Sequence, residues 1–463
     1  MTAQHYDAIV IGAGQSGGPL TGDLTANGYK TALVERSRLG GTCVNWGCTP
    51  TKTMVGSARV AHMARRAADY GVHTGNVTVD LETVRQRKRD IVTMFHDGSS
   101  NAIHSTENLD VYMGSARFID RQTIEVELND GGTRQLTAER IFINTGTEPV
   151  VPDVPGLDST PYLTSTSIME LGKVPDHLII IGGGYIGLEF GQMFRRFGAE
   201  VTIVNRGDRL VSREEPEISE VVQEILEADG IQVLLDSSLE SVSGTEGSIR
   251  ASISRKGQTQ SHDLSGSHIL IAAGRTPSTA DLDLGKAGVE TDDRGAVVVN
   301  GRLETSTPGI WAIGDVKGGP AFTHISFDDG RILKQNLFGD GDGSIDGRVV
   351  PYVVFIDPEL ARVGLSEQEA RQQGYEVSVA SMPMTSVARA LETDETRGLM
   401  KAVIDAQTSQ ILGATVFGIA GGEIMSIIHL AMLTGTPYQT LRDAPFAHPT
   451  VAEALNNLFS QVE

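Results

Sequence analysis

The sequence predicts an α/β chain built from two Rossmann-like dinucleotide-binding domains and a C-terminal α+β domain. Three observations carry that prediction. An apolar strand runs into a glycine-rich turn and then a helical stretch twice, at Gly12-Ala-Gly-Gln-Ser-Gly17 and at Gly182-Gly-Gly-Tyr-Ile-Gly187. The distance from the first glycine to the end of the next strand is the same in both copies: 35 − 12 and 205 − 182 both give 23. From Val350 onward strand and helix patterns alternate without such a turn.

The first unit starts with the apolar run 7–11, turns through Gly12, Gly14 and Gly17, and returns along 31–35 to Glu35. The second starts with 177–181, turns through Gly182, Gly184 and Gly187, runs helically to Arg196, and returns to Asn205. In each, the helix N-terminus offers free N–H groups to a pyrophosphate, and the glycines permit the turn and the close phosphate approach. One such motif is weak evidence; two in matching strand–helix context are strong. Glu35 suits a hydrogen bond to an adenosine ribose; the alternative is a solvated strand end.

Two similar segments, IFINTGTEP (141–149, with Thr145 and Gly146) and ILIAAGRTP (269–277, with Gly274), each close one nucleotide domain. The Pro-rich stretch 149–156 reads as a linker. The strand-like IWAIGDV ends at Gly314-Asp315, and the Gly/Asp-rich run 337–350 marks another boundary. The expected division is a first nucleotide domain at 1–150, a second at 151–270, a central domain at 271–345 completing the first site, and a C-terminal domain at 346–463.

The 463 residues carry a formal net charge of −21. Such acidity repels nucleic acid and anionic membrane, so neither is expected as a partner. It fits a salt-adapted host or a plain solubility device. No run approaches the roughly 18 apolar residues of a membrane span, and the N-terminus leads straight into a strand without a basic, apolar leader. The expected location is the cytoplasm.

The chain has only two cysteines, Cys43 and Cys48, within GGTCVNWGCTPTK. A disulfide closing so short a loop adds little stability; reversible reduction is its expected use. Lys52 and a helix N-terminus would favour the thiolate. The alternatives are a zinc half-site or two structural thiols, but zinc needs further ligands and no other cysteine exists. No metal site is expected.

This segment resembles the active-site signature of the class I pyridine nucleotide–disulfide oxidoreductases, which include dihydrolipoamide dehydrogenase, glutathione reductase and mercuric reductase. The resemblance runs over essentially the whole chain. It implies FAD and a nicotinamide nucleotide as cofactors, and a C-terminal dimerisation domain. It implies that Cys43 is the interchange thiol, that Cys48 faces the flavin, and that Lys52 lies near the flavin and pairs with Glu189. Tyr185 would gate the nicotinamide pocket and Asp315 would hold the ribityl chain, unless it is a plain turn residue. Gly41, Thr42, Ala116, Thr145, Gly146 and Gly314 would add to the FAD site, and Gly274 to the nucleotide sites. His448 and Glu453, in FAHPTVAE, match a dyad that the partner subunit supplies, so the active sites would be shared across a homodimer.

Asn205 stands where an acid would favour NADH, and Arg206, Arg209 and Arg213 follow. Loss of the acid and gain of arginine favour the 2′-phosphate of NADPH, with NADH possible. The loop from Arg206 resembles that of mercuric reductases, yet the C-terminal cysteine pair and the N-terminal metal-binding domain of those enzymes are missing, and His448 replaces their tyrosine. Segments such as GDVKGGPAFTHISFDDGRI and LRDAPFAHPTVAEALNNLF resemble the reactive-chlorine-resistance flavoproteins, a mercuric reductase-like subgroup linked to Cu(II) reduction. The expected function is FAD-dependent electron transfer from NAD(P)H through Cys43–Cys48 to a small disulfide or a metal ion. The alternatives are a dihydrolipoamide dehydrogenase-type enzyme and, in another class, a non-catalytic flavoprotein subunit of a larger assembly.

Overall fold

The computed structural model describes residues 3–462. Strand β1 (Gln4–Ile11) lies between two parallel neighbours, β2 (Thr31–Glu35) and β5 (Thr133–Ile143), with Ile9 opposite Ala32 on one side and Ile141 on the other. Sandwiched on both faces, Ala8, Ile9 and Val10 are fully buried, which is why this strand reads as a continuous apolar run. Strand β3 (Leu109–Phe118) pairs in parallel with β2 along its first half. Its second half turns antiparallel to β4 (Thr123–Leu128), which pairs back with β5.

Four helices belong to this part: α1 (Gly17–Ala26), α2 (Gly41–Asn45), α3 (Cys48–Arg65) and α4 (Leu81–His104). Asp80 caps α4 by accepting from the Thr83 N–H at 3.3 Å. Cys48 is the first residue of α3 and Cys43 lies within α2, so the interrupted helix brings the two sulfurs to one place.

The second motif forms β6 (His177–Ile181), α5 (Tyr185–Phe197) and β7 (Glu200–Val204), followed by α6 (Pro216–Ala228), β8 (Gln232–Leu234) and β9 (His268–Ile271). The four strands are parallel in the order β9-β6-β7-β8. An antiparallel three-stranded sheet, residues 237–266, is inserted before β9. The strand β7 stops at Val204, one residue before the expected Asn205, whose backbone N–H still reaches Leu234 O at 2.8 Å.

The two similar segments noted in the sequence pair with each other: Thr147–Pro149 runs antiparallel to Arg275–Pro277. They carry the chain out to the second sheet and back. Strand β10 (Ile310–Ala312) then docks in parallel beside β5, so the chain returns to the first sheet after leaving the second. Helix α7 (Thr323–Phe338) follows. The C-terminal part is an antiparallel five-stranded sheet spanning 351–418, with α8 (Gly421–Leu433) packed on it through Ile424, Met425 and Ile428.

Candidate active site

One cavity of about 1420 Å³ is lined by residues of both glycine loops, the cysteine segment, α7 and the C-terminal sheet. A single drug-sized ligand fills roughly 300–1,000 Å³, so this space suits two extended ligands meeting end to end.

The two glycine loops repeat each other's contacts. Gly12 sits at φ 104°, and a Cβ there would overlap the Asn144 carbonyl; Gly182 sits at φ 120°, and a Cβ would overlap that of Ala272. A Cβ on Gly17 would strike the Gly12 carbonyl, and one on Gly187 the Gly182 carbonyl. These four glycines are needed by the chain's own packing. The middle ones differ. A Cβ on Gly184 would meet nothing within 4 Å, and one on Gly14 only Asn144 Nδ2 at 3.3 Å. Both line the cavity, so the space they leave is space for a phosphate group.

The residue closing each motif fixes its loop. Glu35 accepts from the Ala13 N–H at 2.9 Å and from the Ser37 N–H at 2.8 Å. It is 9% exposed and lines the cavity, so it is not a solvated strand end. Asn205 accepts from the Gly183 N–H at 3.1 Å through its carbonyl oxygen. Its amide nitrogen donates to Gly207 O at 3.1 Å and Arg209 O at 2.9 Å. A carboxylate could not make those last two bonds.

The rest of the expected dinucleotide site converges on the same cavity. Gly41, Thr42, Ala116, Thr145, Gly146 and Gly274 line it, as does Asp315. The Thr145 hydroxyl is buried and has no hydrogen-bond partner. Burial pushes the Asp315 carboxyl up, against the nearby Arg275 charge and a Thr147 hydroxyl at 3.3 Å. Gly314 lies just behind, its N–H donating to the fully buried Asp329 at 2.8 Å. The open second glycines and the helix N-termini fit an extended dinucleotide such as FAD.

At the centre lie both cysteines, here as unbridged thiols. Thr323 Oγ1, at the start of α7, is 3.1 Å from Cys48 Sγ. The Cys43 thiol donating to it, the Thr323 hydroxyl and the Lys52 charge pull Cys48 down to about 6, against burial and the Glu189 charge. Cys43 is pushed up, first by its bond to Cys48 and then by burial. The pair therefore holds its first thiolate on Cys48. Lys52 Nζ meets Glu189 Oε2 at 2.6 Å and lies 4.8 Å from the centre of the Phe355 ring.

Beyond them, Tyr185 opens α5 and stacks on Tyr352 with ring centres 5.7 Å apart. Arg213 lines this end of the cavity; the expected nucleotide residues Asn205 and Arg206 are not among its lining. His448 and Glu453 do not join the cavity. They form their own pair, with His448 Nδ1 2.9 Å from both Glu453 oxygens, and the His448 side chain is 69% exposed. The hydrogen bond to Glu453 raises the His448 pKa above its ordinary value.

Thus Cys43, Cys48, Lys52 and Glu189 share one cavity with both sets of second glycines, Glu35, Tyr185 and Asp315. The dyad stands apart on the same chain. Sequence reasoning missed Thr323, Arg275, Glu214 and Tyr352. Arg275 had a signal, because it follows Gly274 in the repeated closing segment; the others carried none.

Residues 6–330 match the family described as pyridine nucleotide-disulphide oxidoreductase, and residues 350–459 match the dimerisation domain of that family. The chain is 38% identical over 462 residues, 99% of each chain, to the probable pyridine nucleotide-disulfide oxidoreductase RclA of Escherichia coli (strain K12). It is 36% identical to a mercuric reductase of Bacillus cereus, over 97% of this chain and 70% of that one. A solved Cu(II) complex of the HOCl-induced flavoprotein disulfide reductase RclA from Escherichia coli superposes with a TM-score of 0.90, covering all of both chains at 38% identity. The chain therefore belongs to the pyridine nucleotide-disulphide oxidoreductases, FAD- and nicotinamide-dependent enzymes that end in a dimerisation domain.

Proposed function

We propose that this enzyme prefers NADPH, acts in the cytoplasm as a homodimer with shared active sites, and passes electrons through Cys43–Cys48 to a small disulfide or a thiophilic metal ion such as Cu(II). The observation that carries the electron route is the placing of Cys43 and Cys48 in one cavity with both open glycines, Thr323 Oγ1 3.1 Å from Cys48 Sγ, and the Lys52–Glu189 pair lining the same space. FAD, when bound, supplies the step that turns a hydride from the nicotinamide into an electron pair for the cystine. Gly12, Gly14, Gly17, Glu35, Gly41, Thr42, Ala116, Thr145, Gly146, Gly314 and Asp315 would hold it. Gly182, Gly184, Gly187, Asn205, Arg206 and Gly274 would hold the nucleotide, with Tyr185 over the nicotinamide.

The chemistry of the chain's own groups follows. Cys43, once deprotonated, attacks one sulfur of a disulfide, forming a mixed disulfide and expelling one thiolate. Cys48 then attacks Cys43 Sγ, which re-forms the cystine and expels the second thiolate. His448 of the partner subunit, held by the partner's Glu453, delivers the protons these thiolates need. With Cu(II), the dithiol gives one electron to each of two ions and returns to the cystine. Both routes consume one NADPH per two electrons.

A second reading is dihydrolipoamide oxidation, the same exchange in reverse. The His448–Glu453 pair favours it as much as reduction, since its imidazole can take a proton from an incoming dithiol. Anaerobic NADPH and NADH oxidation against lipoamide, glutathione disulfide, Cu(II) and Hg(II) tests these readings. Turnover of one disulfide or metal ion supports reduction. Rapid nucleotide reduction by dihydrolipoamide, with no turnover in the forward direction, overturns it.

A further inference from the structure

A buried carboxylate holds the ring that stands at the nicotinamide end of the cavity. The Tyr185 hydroxyl donates to Glu214 Oε1 at 3.1 Å, and the Tyr352 hydroxyl donates to the same oxygen at 2.6 Å. The two rings stack with an interplanar angle of 26°. Tyr352 stacks in turn on Phe322, with centres 5.3 Å apart and an angle of 6°. Tyr185 is thus held at its hydroxyl and along its face.

Glu214 is built for this position. Its side chain is 1% exposed, and Arg362 Nη1 lies 3.5 Å from its other oxygen. The same guanidinium donates to the Arg213 carbonyl at 3.0 Å and pairs with Glu369. The turn before Glu214 is strained. Val211, a β-branched residue, sits at φ 39° with its N–H bonded to Gly183 O at 2.9 Å. The Glu214 N–H closes that turn on Val211 O at 2.7 Å. The strain turns an acid out of a charged run, Arg213-Glu-Glu-Pro-Glu217, and into the interior. Burial, followed by the Glu214 charge, pushes the Tyr185 phenol up to about 12 and moves Tyr352 in the same direction, so both hydroxyls keep the proton they donate.

We propose that Glu214 is a positioning residue for nucleotide binding: it latches Tyr185 against Tyr352, and the nicotinamide enters only when that latch breaks. Tyr352 belongs to the C-terminal sheet and Tyr185 to the second nucleotide domain. The latch therefore ties the closed ring to the domain that makes the dimer. The proposal rests on the reading of Tyr185 as the ring over the nicotinamide pocket.

The test is NADP⁺ binding to the FAD-loaded enzyme, followed by titration calorimetry, for wild type, Glu214→Leu (which has no acceptor for either hydroxyl), Tyr185→Phe and the double variant. Each single variant should bind about tenfold more tightly, the change expected when one hydrogen bond to a carboxylate no longer has to be broken. The double variant should gain no more than either single one, because both break the same latch. KM for NADPH should fall with affinity. Tyr185→Phe leaves the Glu214–Arg362 pair intact, so it reads the latch even if Glu214→Leu folds poorly. Unchanged or weaker binding in Tyr185→Phe, or additive gains in the double variant, overturns the latch alone. Absence of any nucleotide binding by the wild type overturns both the latch and the nucleotide reading beneath it.

Discussion

Lys52 Nζ stands 2.6 Å from Glu189 Oε2, and this bond joins α3 of the first nucleotide domain to α5 of the second. The other oxygen of Glu189 accepts from the Phe355 N–H of the C-terminal part at 2.9 Å. One carboxylate thus fastens three parts of the chain beside the cysteines. Glu189→Gln would leave the Lys52 ammonium without its counter-charge. Breaking a buried pair costs about 3–5 kcal/mol, and Lys52, one-third exposed, recovers some of that from water. The expected loss is about 1–2 kcal/mol, read as a lower denaturant midpoint with an unchanged slope.

The Cys48 thiol sets a pH window. Its folded value of about 6 lies below the roughly 8.5 of a free thiol. The thiolate therefore persists down to about pH 6, and the stability it contributes, full above about 8.5, is lost as pH falls from there through about 6. Ultraviolet thiolate absorbance of the reduced protein should rise in a first phase near pH 6. Cys48→Ser should remove that phase. Thr323→Val should move it upward, because a hydroxyl that stabilises the thiolate is gone.

The dyad gives a profile of opposite sign. Glu453 holds the His448 pKa above its ordinary value, so the imidazolium persists to higher pH and is lost as pH rises. Glu453→Gln should shift the alkaline limb of disulfide turnover to lower pH. His448→Ala should cost about 10²–10⁴-fold in rate, the usual worth of general acid catalysis. Mixing His448→Ala with Cys43→Ser protein, after subunit exchange, should restore one working site per mixed dimer, about one quarter of wild-type turnover for an equimolar mixture that pairs at random. No recovery would mean that the dyad serves its own chain.

Nucleotide preference should turn on the amide of Asn205. Asn205→Asp replaces the nitrogen that donates to Gly207 and Arg209 with an oxygen that repels both carbonyls. The arginine loop would lose its shape and the 2′-phosphate would meet a negative charge. The ratio of kcat/KM for NADPH over NADH should drop by roughly tenfold or more. An unchanged ratio would leave Asn205 with a purely structural part.

The elements that carry the nucleotide motifs were legible because burial on both faces writes a strand as an unbroken apolar run. Gly12, Gly17, Gly182 and Gly187 were legible because no other residue fits beneath the facing carbonyls. The cysteine segment was legible as chemistry because only two cysteines exist. Thr323 was not, for it lies 275 residues from Cys48 and meets it only through the tertiary fold. Glu214 was hidden differently: it looks like one more solvated acid in a charged run, and only the tertiary fold sets it against Arg362, Tyr185 and Tyr352. Ala116 entered through family resemblance alone, since one alanine in a strand carries no signal of its own.

The central claim is that Cys43 and Cys48 form a working redox couple. Anaerobic reductive titration of the FAD-loaded wild type and Cys43→Ser, followed by absorbance, tests it most directly. The wild type should take up about two more electron equivalents per subunit than the variant, the capacity of one disulfide. Equal uptake by the two proteins would contradict the claim and place the cysteines outside the electron path.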